Sequence, residues 1–414
     1  MTESTYQRDI AAGTRTVERT CPSCGWGTMD LFYEVRQVPV HSVLLLPTRD
    51  EALSYPKGDI ELAFCMHCGF IANIAFDPSK HEYSEKYEET QGFSSTFNAF
   101  HKALAERLID RYDLRGKDII EIGCGKGEFL TMLCEMGGSR GVGFDPAYVP
   151  ERNLSPAKER IRFVQDFYSE KYSETAGDFV VCKMTLEHIP DVANFVQTVR
   201  RSIGDRKDTV VFFQIPDTRR VLQECAFWDI YYEHCSYFSP GSLARLFRSC
   251  GFDVMNLGTE YDDQYLTIEA KPGNGRREDA LPQEESPEEL HREVLSFTER
   301  MEKIVDGWRT RVRELRAAGR RSVIWGGGSK GVAFLTKLGI VEEIEYAVDI
   351  NPYKRGSYMA GTGQEIVLPD FLQSYGPDVV IVMNPIYCDE IRVDLERLSV
   401  HAELVPIHDT TGKA

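Results

Sequence analysis

Three residues near the middle of the chain have the types and spacing that proton abstraction requires. Tyr231, Glu233 and His234 lie in the segment FWDIYYEHCSYFSPGSL, and Tyr237 follows in the same segment. An imidazole titrates near neutral pH, and a neighbouring carboxylate can orient it as a base for a proton next to a carbonyl group. A phenol can donate a hydrogen bond to the resulting enolate. The alternative is a packed aromatic turn with a satisfied histidine, which composition alone favours.

A glycine turn upstream indicates where a cofactor binds. The segment DIIEIGCGKGEFL has the pattern of a buried strand, a tight turn at Gly123, Gly125 and Gly127, and the start of a helix. Glu121 precedes the turn, and Glu128 stands where a dinucleotide fingerprint has its third glycine. A pyrophosphate would therefore be repelled.

S-adenosylmethionine fits this turn better, because it carries a sulfonium and an ammonium group and no phosphate. Its ribose diol would bind Asp145, which ends the next strand about 20 residues after the turn, with Pro146 beside it. Asp166, at the end of a third predicted strand (IRFVQDF), is positioned to accept from the adenine amino group. The pattern ExGxGxG followed by DP is typical of a class I methyltransferase, and a sheet turn without a ligand is the alternative.

Two C-x-x-C-G knuckles predict a metal site near the N-terminus. Cys21 and Cys24 belong to CPSCG, and Cys65 and Cys68 belong to CMHCG. Four thiolates complete a tetrahedral zinc site without an open position, so the metal is expected to be structural. Unliganded core cysteines are the alternative, and His67 is expected to be a bystander.

The composition limits the partners and the compartment. The 414 residues contain 48 Lys and Arg against 65 Asp and Glu, and the net charge of −17 argues against a nucleic-acid partner. No stretch approaches the length of a membrane span, and the first residues lack the apolar core of a signal peptide. We expect a cytoplasmic monomer or homodimer that acts on a small molecule. Its 11 cysteines are expected to be thiols or metal ligands.

The elements that position these residues form an α/β protein with two sheets of parallel strands. Strands and helices alternate through the core, which predicts a doubly wound sheet closed by an antiparallel pair, and the plan repeats as a smaller sheet. The expected divisions are a flexible tail (1–16), a zinc-binding domain (17–79), an S-adenosylmethionine-binding methyltransferase core (80–272), a linker (273–286), a connecting helix (287–318) and a C-terminal Rossmann-like substrate-binding lobe (319–414).

The second glycine turn, WGGGSKG, is expected to hold a different ligand. Gly326, Gly328 and Gly331 spell GxGxxG, and Asp349 follows near the distance that is typical of NAD binding. Backbone N–H groups at the helix start, with Lys330, would equally suit the diphosphate of a nucleotide sugar. We expect a cation at the first turn and an anion at the second.

The loop before the first core strand is expected to fold over the pocket. Its candidate lining residues are Tyr83, Tyr87, Gln91 and Ser94–Thr96, although aromatic side chains at such a place are equally often packing residues.

Five motifs in the same order resemble the C-methyltransferases of deoxysugar biosynthesis, which methylate C3 or C5 of a nucleoside-diphosphate 4-keto-6-deoxysugar. These motifs are the paired cysteine knuckles, EIGCGKGEFL, EHIPDV, YYEHCSYFS and the C-terminal group WGGGSKG, VDINPYKRGSYMAGTG and MNPIYCDEI. The resemblance covers nearly the whole chain from Cys21 onward. It implies that the C-terminal lobe helps to hold the nucleotide sugar, with contacts expected at Gly328, Ser329, Lys330 and Asn384. Tyr87 and Tyr237 are also expected to contact the substrate.

The resemblance also implies catalytic roles for Tyr231, Glu233, His234 and His188. We expect His234, with Tyr231 as the alternative base, to remove the proton alpha to the ketone. The enolate is then expected to attack the methyl group in line, with inversion at the accepting carbon. His188 and phenolic donors stabilise the enolate oxygen.

The chain departs from the family at TQGFSSTF, where many relatives have a tyrosine and this chain has Phe93. Either Tyr87 replaces that phenol or the phenol is absent, so the exact acceptor stays open. An O-methyltransferase and an NAD-dependent oxidoreductase that uses the C-terminal GxGxxG are the alternative functions.

Overall fold

The computed structural model describes residues 14–80, 87–175, 177–273 and 280–409, and three sheets organise them. The N-terminal sheet is antiparallel, in the order β1-β2-β3-β4-β10. Its last strand, β10 (Ser236–Tyr237), comes from much later in the chain. The other elements of this region are β1 (Arg15–Val17), β2 (Met29–Pro39), α1 (Arg49–Ser54), β3 (Lys57–Phe64) and β4 (Ile71–Asn73).

The second sheet has seven strands, in the order β7-β6-β5-β8-β9-β12-β11. Its elements are α2 (Ser95–Tyr112), β5 (Asp118–Ile122), α3 (Glu128–Gly137), β6 (Arg140–Phe144), β7 (Ile161–Val164), β8 (Phe179–Lys183), α4 (Val192–Ile203), β9 (Val210–Pro216), α5 (Thr218–Glu224), α6 (Pro240–Ser249), β11 (Phe252–Glu260) and β12 (Tyr265–Pro272). The strands β5 to β9 are parallel, and β12 is antiparallel to both of its neighbours. The predicted doubly wound sheet with an antiparallel closing pair is therefore confirmed.

The order of this sheet reverses between β5 and β8, so a ligand crevice is expected beyond the carboxyl ends of these strands. The apolar runs of β5 and β8 lie in the centre of the sheet, where helices cover both faces. The third strand is shorter than predicted, because β7 ends at Val164 and Asp166 belongs to the loop that follows.

The third sheet is smaller and entirely parallel, in the order β15-β14-β13-β16-β17. This confirms the predicted second parallel sheet. Its region contains α7 (Pro287–Ala317), β13 (Ser322–Trp325), α8 (Ser329–Leu338), β14 (Tyr346–Val348), β15 (Glu365–Val367), α9 (Leu372–Tyr375), β16 (Val379–Val382), α10 (Cys388–Arg397) and β17 (Glu403–Pro406).

The long helix α7 links the N-terminal sheet to the third sheet. It begins with a capping box, in which Ser286 and Glu289 each bond to the backbone of the other. Apolar residues recur along one face and are buried: Leu290, Val294, Phe297, Met301, Val305, Trp308 and Val312. The Phe297 ring packs edge-on against aromatic side chains of β2, and the Trp308 indole donates a hydrogen bond to the Ile407 carbonyl oxygen at 3.0 Å. A single core thereby spans both regions.

Residues 280–286 belong to the segment whose composition predicts a linker, and here they pack against α6. The buried Glu285 carboxylate accepts hydrogen bonds from the Ser239 hydroxyl at 2.6 Å and from the Gly241 amide at 3.1 Å. Arg248 binds Glu284 through both of its terminal nitrogens. The described part of this segment is thus anchored to the helix start. Among the described residues, no helix combines the length and the apolarity needed to cross a membrane.

Candidate active site

A cavity of about 690 Å³ opens beyond the carboxyl ends of β5 and β8, a volume within the range of small-molecule sites. All three sheet regions contribute to its walls. It collects most of the residues that the sequence analysis selected: Tyr87, Glu121, Gly123, Gly125, Asp145, Pro146, Asp166, His188, Tyr231, His234, Gly328, Ser329, Lys330 and Asn384. Three predicted site residues, Gly127, Glu233 and Tyr237, are not among the lining residues.

The first glycine turn adopts the left-handed backbone that its sequence predicts. The φ angles of Gly123, Gly125 and Gly127 are 70°, 53° and 80°. The Gly125 amide donates to the Asp145 carboxylate at 2.9 Å, which ties the turn to the end of β6. Gly127 has a packing role instead, because a Cβ there would meet the Phe163 ring at 2.6 Å.

An acidic side chain that the sequence did not indicate also faces this turn. Glu121 is buried behind the turn and accepts a hydrogen bond from the Leu130 amide at 2.9 Å. Burial raises the pKa of Glu121 to about 7, and Lys183 opposes that change. Glu89 instead faces the turn, since a Cβ on Gly125 would lie 2.9 Å from its Oε1 atom. Burial raises the pKa of Glu89 to about 7 as well.

The two aspartates assigned to the cofactor differ in their surroundings. Asp145 is buried and also accepts from the Ala147 amide at 2.7 Å, and burial raises its pKa. Asp166 lines the cavity, but its carboxylate already accepts from the Tyr172 hydroxyl at 2.6 Å and pairs with Lys171. The bonds from Lys171 and Tyr172 lower the pKa of Asp166.

The loop that precedes α2 folds over the cavity. Tyr87, Gln91 and Ser94 line it, as does Phe93, which is 41% exposed. Ser94 caps α2 by accepting from the Phe97 amide at 3.2 Å. Tyr83 lies outside the described residues.

The residues with the chemistry of proton transfer meet at one wall of the cavity. The ring of His234 lies 4.0 Å from that of Tyr231 and 5.0 Å from that of His188, measured between centroids. His188 Nδ1 lies 2.9 Å from the Glu233 carbonyl oxygen, which can only accept, so this nitrogen carries the proton. Burial lowers the pKa of His188 to about 4, so its ring is neutral and Nε2 is an acceptor.

Burial also sets the protonation of the other two rings. It lowers the pKa of His234 well below 6.5, with smaller contributions from His188 and Lys330. It raises the pKa of the Tyr231 phenol well above 10, so that phenol stays protonated. Tyr231 is therefore a hydrogen-bond donor, which weighs against its expected role as the alternative base.

The carboxylate beside His234 is Glu187 rather than Glu233, which corrects the expectation from the Y-x-E-H spacing. Glu187, His188 and His234 each place a side-chain nitrogen or oxygen within 4.8 Å of the others. Glu233 points away, and its Oε1 atom accepts from both the amide and the hydroxyl of Ser42, each at 2.6 Å. Burial raises the pKa of Glu233 to about 7.

Tyr237 is placed in the N-terminal sheet rather than at the cavity. It lies in β10 opposite Ile71 of β4, it is buried, and its ring centroid is 6.2 Å from that of His234. The expected contact between Tyr237 and a substrate is therefore replaced by a contact with the imidazole.

A buried cluster of charges lies at the start of α8. Lys330 pairs with Asp229, and Asp229 also pairs with Arg220 at 2.6 Å. Arg220 also pairs with Glu224 at 2.7 Å, so the two cations of the cluster face two carboxylates. Burial opposes ionisation of Asp229, but Lys330 and Arg220 together lower its pKa.

Other residues of the C-terminal lobe join the cavity from the same side. The Ser329 hydroxyl lies 2.8 Å from that of Ser42 and thereby connects α8 to the N-terminal region. The Asn384 side-chain oxygen accepts a hydrogen bond from the side-chain nitrogen of Gln264 at 3.1 Å. Asp349, the acid at the spacing typical of NAD binding, lines the cavity and pairs with Lys354 at 2.9 Å.

The four predicted metal-binding cysteines lie together at the N-terminal sheet. Cys21 Sγ is 3.7 Å from Cys68 Sγ, and Cys24 Sγ is 3.6 Å from Cys65 Sγ. All four sulfurs lie within 4.8 Å of one another. A tetrahedral zinc ion with bonds of about 2.3 Å requires sulfurs about 3.8 Å apart, so these residues fit the ion. In each knuckle the glycine amide donates a hydrogen bond to the backbone carbonyl oxygen of the first cysteine, from Gly25 to Cys21 at 2.9 Å and from Gly69 to Cys65 at 2.8 Å.

Several lining residues were not predicted from the sequence. Lys183 ends β8, Gln214 lies within β9, Asp229 follows α5, and Gln264 and Tyr265 lie at the start of β12. Lys183 is the last residue of β8, where a doubly wound sheet places its ligand crevice, so its position could have been anticipated. Its ammonium nitrogen lies 2.8 Å from His101 Nε2. No motif marks Glu89, which reaches the turn through the fold of its loop.

Two family models match the chain, side by side. The model described as "Methyltransferase domain" matches residues 95–257, and the model described as "C-methyltransferase C-terminal domain" matches residues 269–403. The chain is 27% identical over 317 residues to the C-methyltransferase NovU of Streptomyces niveus, covering 72% of this chain and 73% of that protein. It is 25% identical over 194 residues to a ubiquinone biosynthesis O-methyltransferase of Neisseria meningitidis, covering 41% of this chain and 78% of that protein.

Among solved structures, a Burkholderia thailandensis 1,6-didemethyltoxoflavin-N1-methyltransferase with bound S-adenosylhomocysteine matches at 17% identity and a TM-score of 0.34, covering 43% of this chain and 81% of that one. The PH0226 protein of Pyrococcus horikoshii matches at 14% identity and a TM-score of 0.36, covering 46% of this chain and all of that one.

Proposed function

We propose that this chain is an S-adenosylmethionine-dependent C-methyltransferase whose acceptor is a nucleoside-diphosphate 4-keto-6-deoxysugar, methylated at C3. The two adjoining family models and the similarity to NovU support this proposal. The observation that carries the proposal is the common cavity. It brings the first glycine turn, the Tyr231–His234–His188 cluster and the Lys330 charge cluster together, and these suit a cofactor, an acidic carbon and an anion, respectively.

In this proposal the cofactor binds at the first glycine turn. Gly125 and Asp145 suit its ribose, and Glu89 and Asp145 supply carboxylates near its positive groups. When bound, S-adenosylmethionine supplies an electrophilic methyl group. The residues of the chain bind it, exclude water and hold the accepting carbon in line with that group.

His234 is the proposed base for the proton alpha to the ketone. Its buried imidazole is neutral and can accept a proton, and the Tyr231 ring at 4.0 Å restricts its orientation. Glu233 acts indirectly, because its carbonyl oxygen fixes the tautomer of His188. Because the proton of His188 is on Nδ1 and directed to the Glu233 carbonyl oxygen, its other ring nitrogen can only accept a hydrogen bond. In this proposal, other groups therefore donate to the enolate oxygen in place of His188.

The C-terminal lobe is the proposed site of the diphosphate. The Lys330 ammonium lines the cavity, and together with the backbone amides at the start of α8 it can donate hydrogen bonds to phosphate oxygens. A diphosphate is an ordinary ligand for such a helix start.

We also propose that the four-cysteine site holds a structural zinc ion. Its four thiolates leave no open coordination position, so the ion would stabilise the knuckles and would not take part in the reaction. Metal analysis of protein purified without added zinc should give one zinc ion per chain.

The test of the main proposal is a panel of nucleoside-diphosphate 4-ketosugars with S-adenosylmethionine, analysed by mass and by carbon NMR of the new methyl group. Incubation in heavy water without cofactor should exchange the alpha proton of the true acceptor. His234→Asn should abolish both exchange and transfer while leaving the affinity for S-adenosylhomocysteine nearly unchanged. The exposed His401 provides the matched control, and His401→Asn should behave as the wild type.

A second candidate is methyl transfer to oxygen, which the match of the core to ubiquinone O-methyltransferases favours. That reaction requires only a base at a hydroxyl group. A methyl signal bonded to oxygen, with no exchange of a carbon-bound proton, would establish it and would refute transfer to carbon.

A further inference from the structure

Glu187 is the most unusual titratable group in the cavity. It lies in the short turn after β8, lines the cavity and is only 2% exposed. Neither of its carboxylate oxygens has a hydrogen-bond partner among the described residues. A buried polar atom without a partner is costly, so its presence at a cavity wall points to a ligand that completes it.

The backbone holds Glu187 firmly in this place. Its carbonyl oxygen accepts from the Cys235 amide at 2.9 Å, which ties the turn to the segment that carries His234. Met184, three residues earlier, has a φ of 48°. This left-handed backbone conformation is unfavourable for residues other than glycine, and it recurs at functional sites. The Met184 amide donates to the Gln214 carbonyl at 2.7 Å, so the neighbouring strand maintains that conformation.

The groups around Glu187 leave its carboxyl neutral. The titratable side chains that face it are His188 and His234 within 4.8 Å, together with Tyr231, Tyr265, Cys182 and Cys235. None of these is a cation in the resting state, because both imidazoles have lowered pKa values. Burial therefore raises the pKa of Glu187 to about 8, and the protonated form predominates at pH 7.

We propose that Glu187, as a neutral carboxylic acid, donates a hydrogen bond to the ketone oxygen of the acceptor and stabilises the enolate. This inference rests on the proposed function. It supplies the donor that His188 cannot be, since the proton of His188 is directed to the Glu233 carbonyl oxygen. A carboxylic acid kept neutral by burial can stabilise an oxyanion strongly.

The proposed steps balance as follows. The C–H bond next to the ketone breaks, its proton goes to His234, and the electron pair forms the C=C bond while charge develops on the oxygen that Glu187 faces. The enolate carbon then bonds to the methyl group, the bond from sulfur to methyl breaks with its electrons on sulfur, and the ketone forms again. The proton on His234 leaves to solvent.

The pH profile of methyl transfer tests this inference. The wild type should lose activity as the pH rises through about 8, because ionised Glu187 no longer donates. Glu187→Gln retains a donor that cannot ionise, so it should remain active at neutral pH and lack this alkaline loss. Glu187→Ala should lower kcat by about 100-fold or more, the range for one lost oxyanion donor.

Two further variants make the result specific. Asp217 is another buried carboxyl, whose pKa burial raises to about 7, but it is not a lining residue of the cavity. Asp217→Asn should keep the wild-type alkaline loss. Tyr231→Phe should also keep it, because the pKa of that phenol lies well above 10.

Three outcomes would overturn the inference. An alkaline loss near pH 8 that persists in Glu187→Gln would remove Glu187 as its origin. An inactive Glu187→Gln that binds S-adenosylhomocysteine normally would instead make Glu187 the base. A wild type that is inactive toward every ketosugar would refute the proposed function, and this inference with it, whereas the first two results leave the proposed function intact.

Discussion

The protonation of Glu187 predicts how stability depends on pH, without any substrate. Burial raises the pKa of this carboxyl from 4.5 to about 8, a difference of about 3.5 pKa units. At about 1.4 kcal/mol per pKa unit, the folded state would lose about 5 kcal/mol of stability on ionising this group. The group is fully buried, so solvent does not screen this energy.

The sign follows from the number of protons bound. Between pH 4.5 and about 8 the folded chain retains the Glu187 proton that the unfolded chain releases. Its contribution to stability is complete below pH 4.5 and is lost as the pH rises through about 8. Glu187→Gln has no such dependence. The stability of this variant relative to the wild type should therefore rise by about 1.4 kcal/mol per pH unit in this window, to a total of about 5 kcal/mol.

Chemical denaturation of both proteins at pH 5, 7 and 9 measures this difference. The cost of burying the new side-chain amide is the same at each pH, so it shifts the three stability differences equally and does not change their slope against pH. Other buried carboxyls with raised pKa values, including Glu89, Glu121, Glu233 and Asp217, contribute to both proteins and cancel. Glu299→Gln, at an exposed position on α7, is the matched control for the substitution itself. A difference between Glu187→Gln and the wild type that is independent of pH would refute the neutral carboxyl.

Three other perturbations test separate parts of the structure. Thermal melts should show that Gly127→Ala destabilises the protein by more than the roughly 1–2 kcal/mol cost of a side chain at positive φ, because its Cβ would meet the Phe163 ring at 2.6 Å. Gly116 has a φ of 70° and no neighbour within 4 Å, so Gly116→Ala should cost only the energy of the left-handed backbone. Asp229→Asn removes the carboxylate partner of the buried Lys330, whereas Arg220 keeps Glu224, and the change should cost about 3–5 kcal/mol. Added pyrophosphate should restore part of the melting temperature, and no loss of stability would exclude the charge cluster. Cys68→Ser should abolish the stoichiometric zinc seen by metal analysis, while Cys388→Ser should retain it; equal zinc in both would refute the four-cysteine site.

The sheet architecture was predictable because its signals are local. A buried parallel strand is a short apolar run in the sequence, and a glycine after it marks the turn to a helix. The strands β5 and β13 and the helices that follow them could therefore be predicted. The capping box before α7 is similarly local. Cysteine spacing indicates the metal site, since each knuckle folds on itself.

The partners of His234, the proposed base, were not predictable in this way. Adjacency in sequence suggested Glu233, but consecutive residues in extended or turning backbone point in different directions. Glu233 turns toward Ser42, and the neighbour of His234 is Glu187, brought there by the crossing of two chain segments. The same limit applies to Glu89, whose position depends on how its loop closes over the turn.

The cysteine knuckles belong to the construction of the active site although they lie outside the cavity. The second knuckle leads directly into β4, and β4 pairs with β10, which begins two residues after His234. The Asn73 amide donates to the Cys235 carbonyl at 2.9 Å, and the Arg245 guanidinium donates to the Cys68 carbonyl at 2.8 Å. An ion or packing contact that holds the second knuckle in place therefore also holds the register of β10, the strand that follows His234. A shift of one residue in that register would reverse the two faces of β10, so the pairing of the N-terminal sheet helps to fix the position of His234 at the cavity wall.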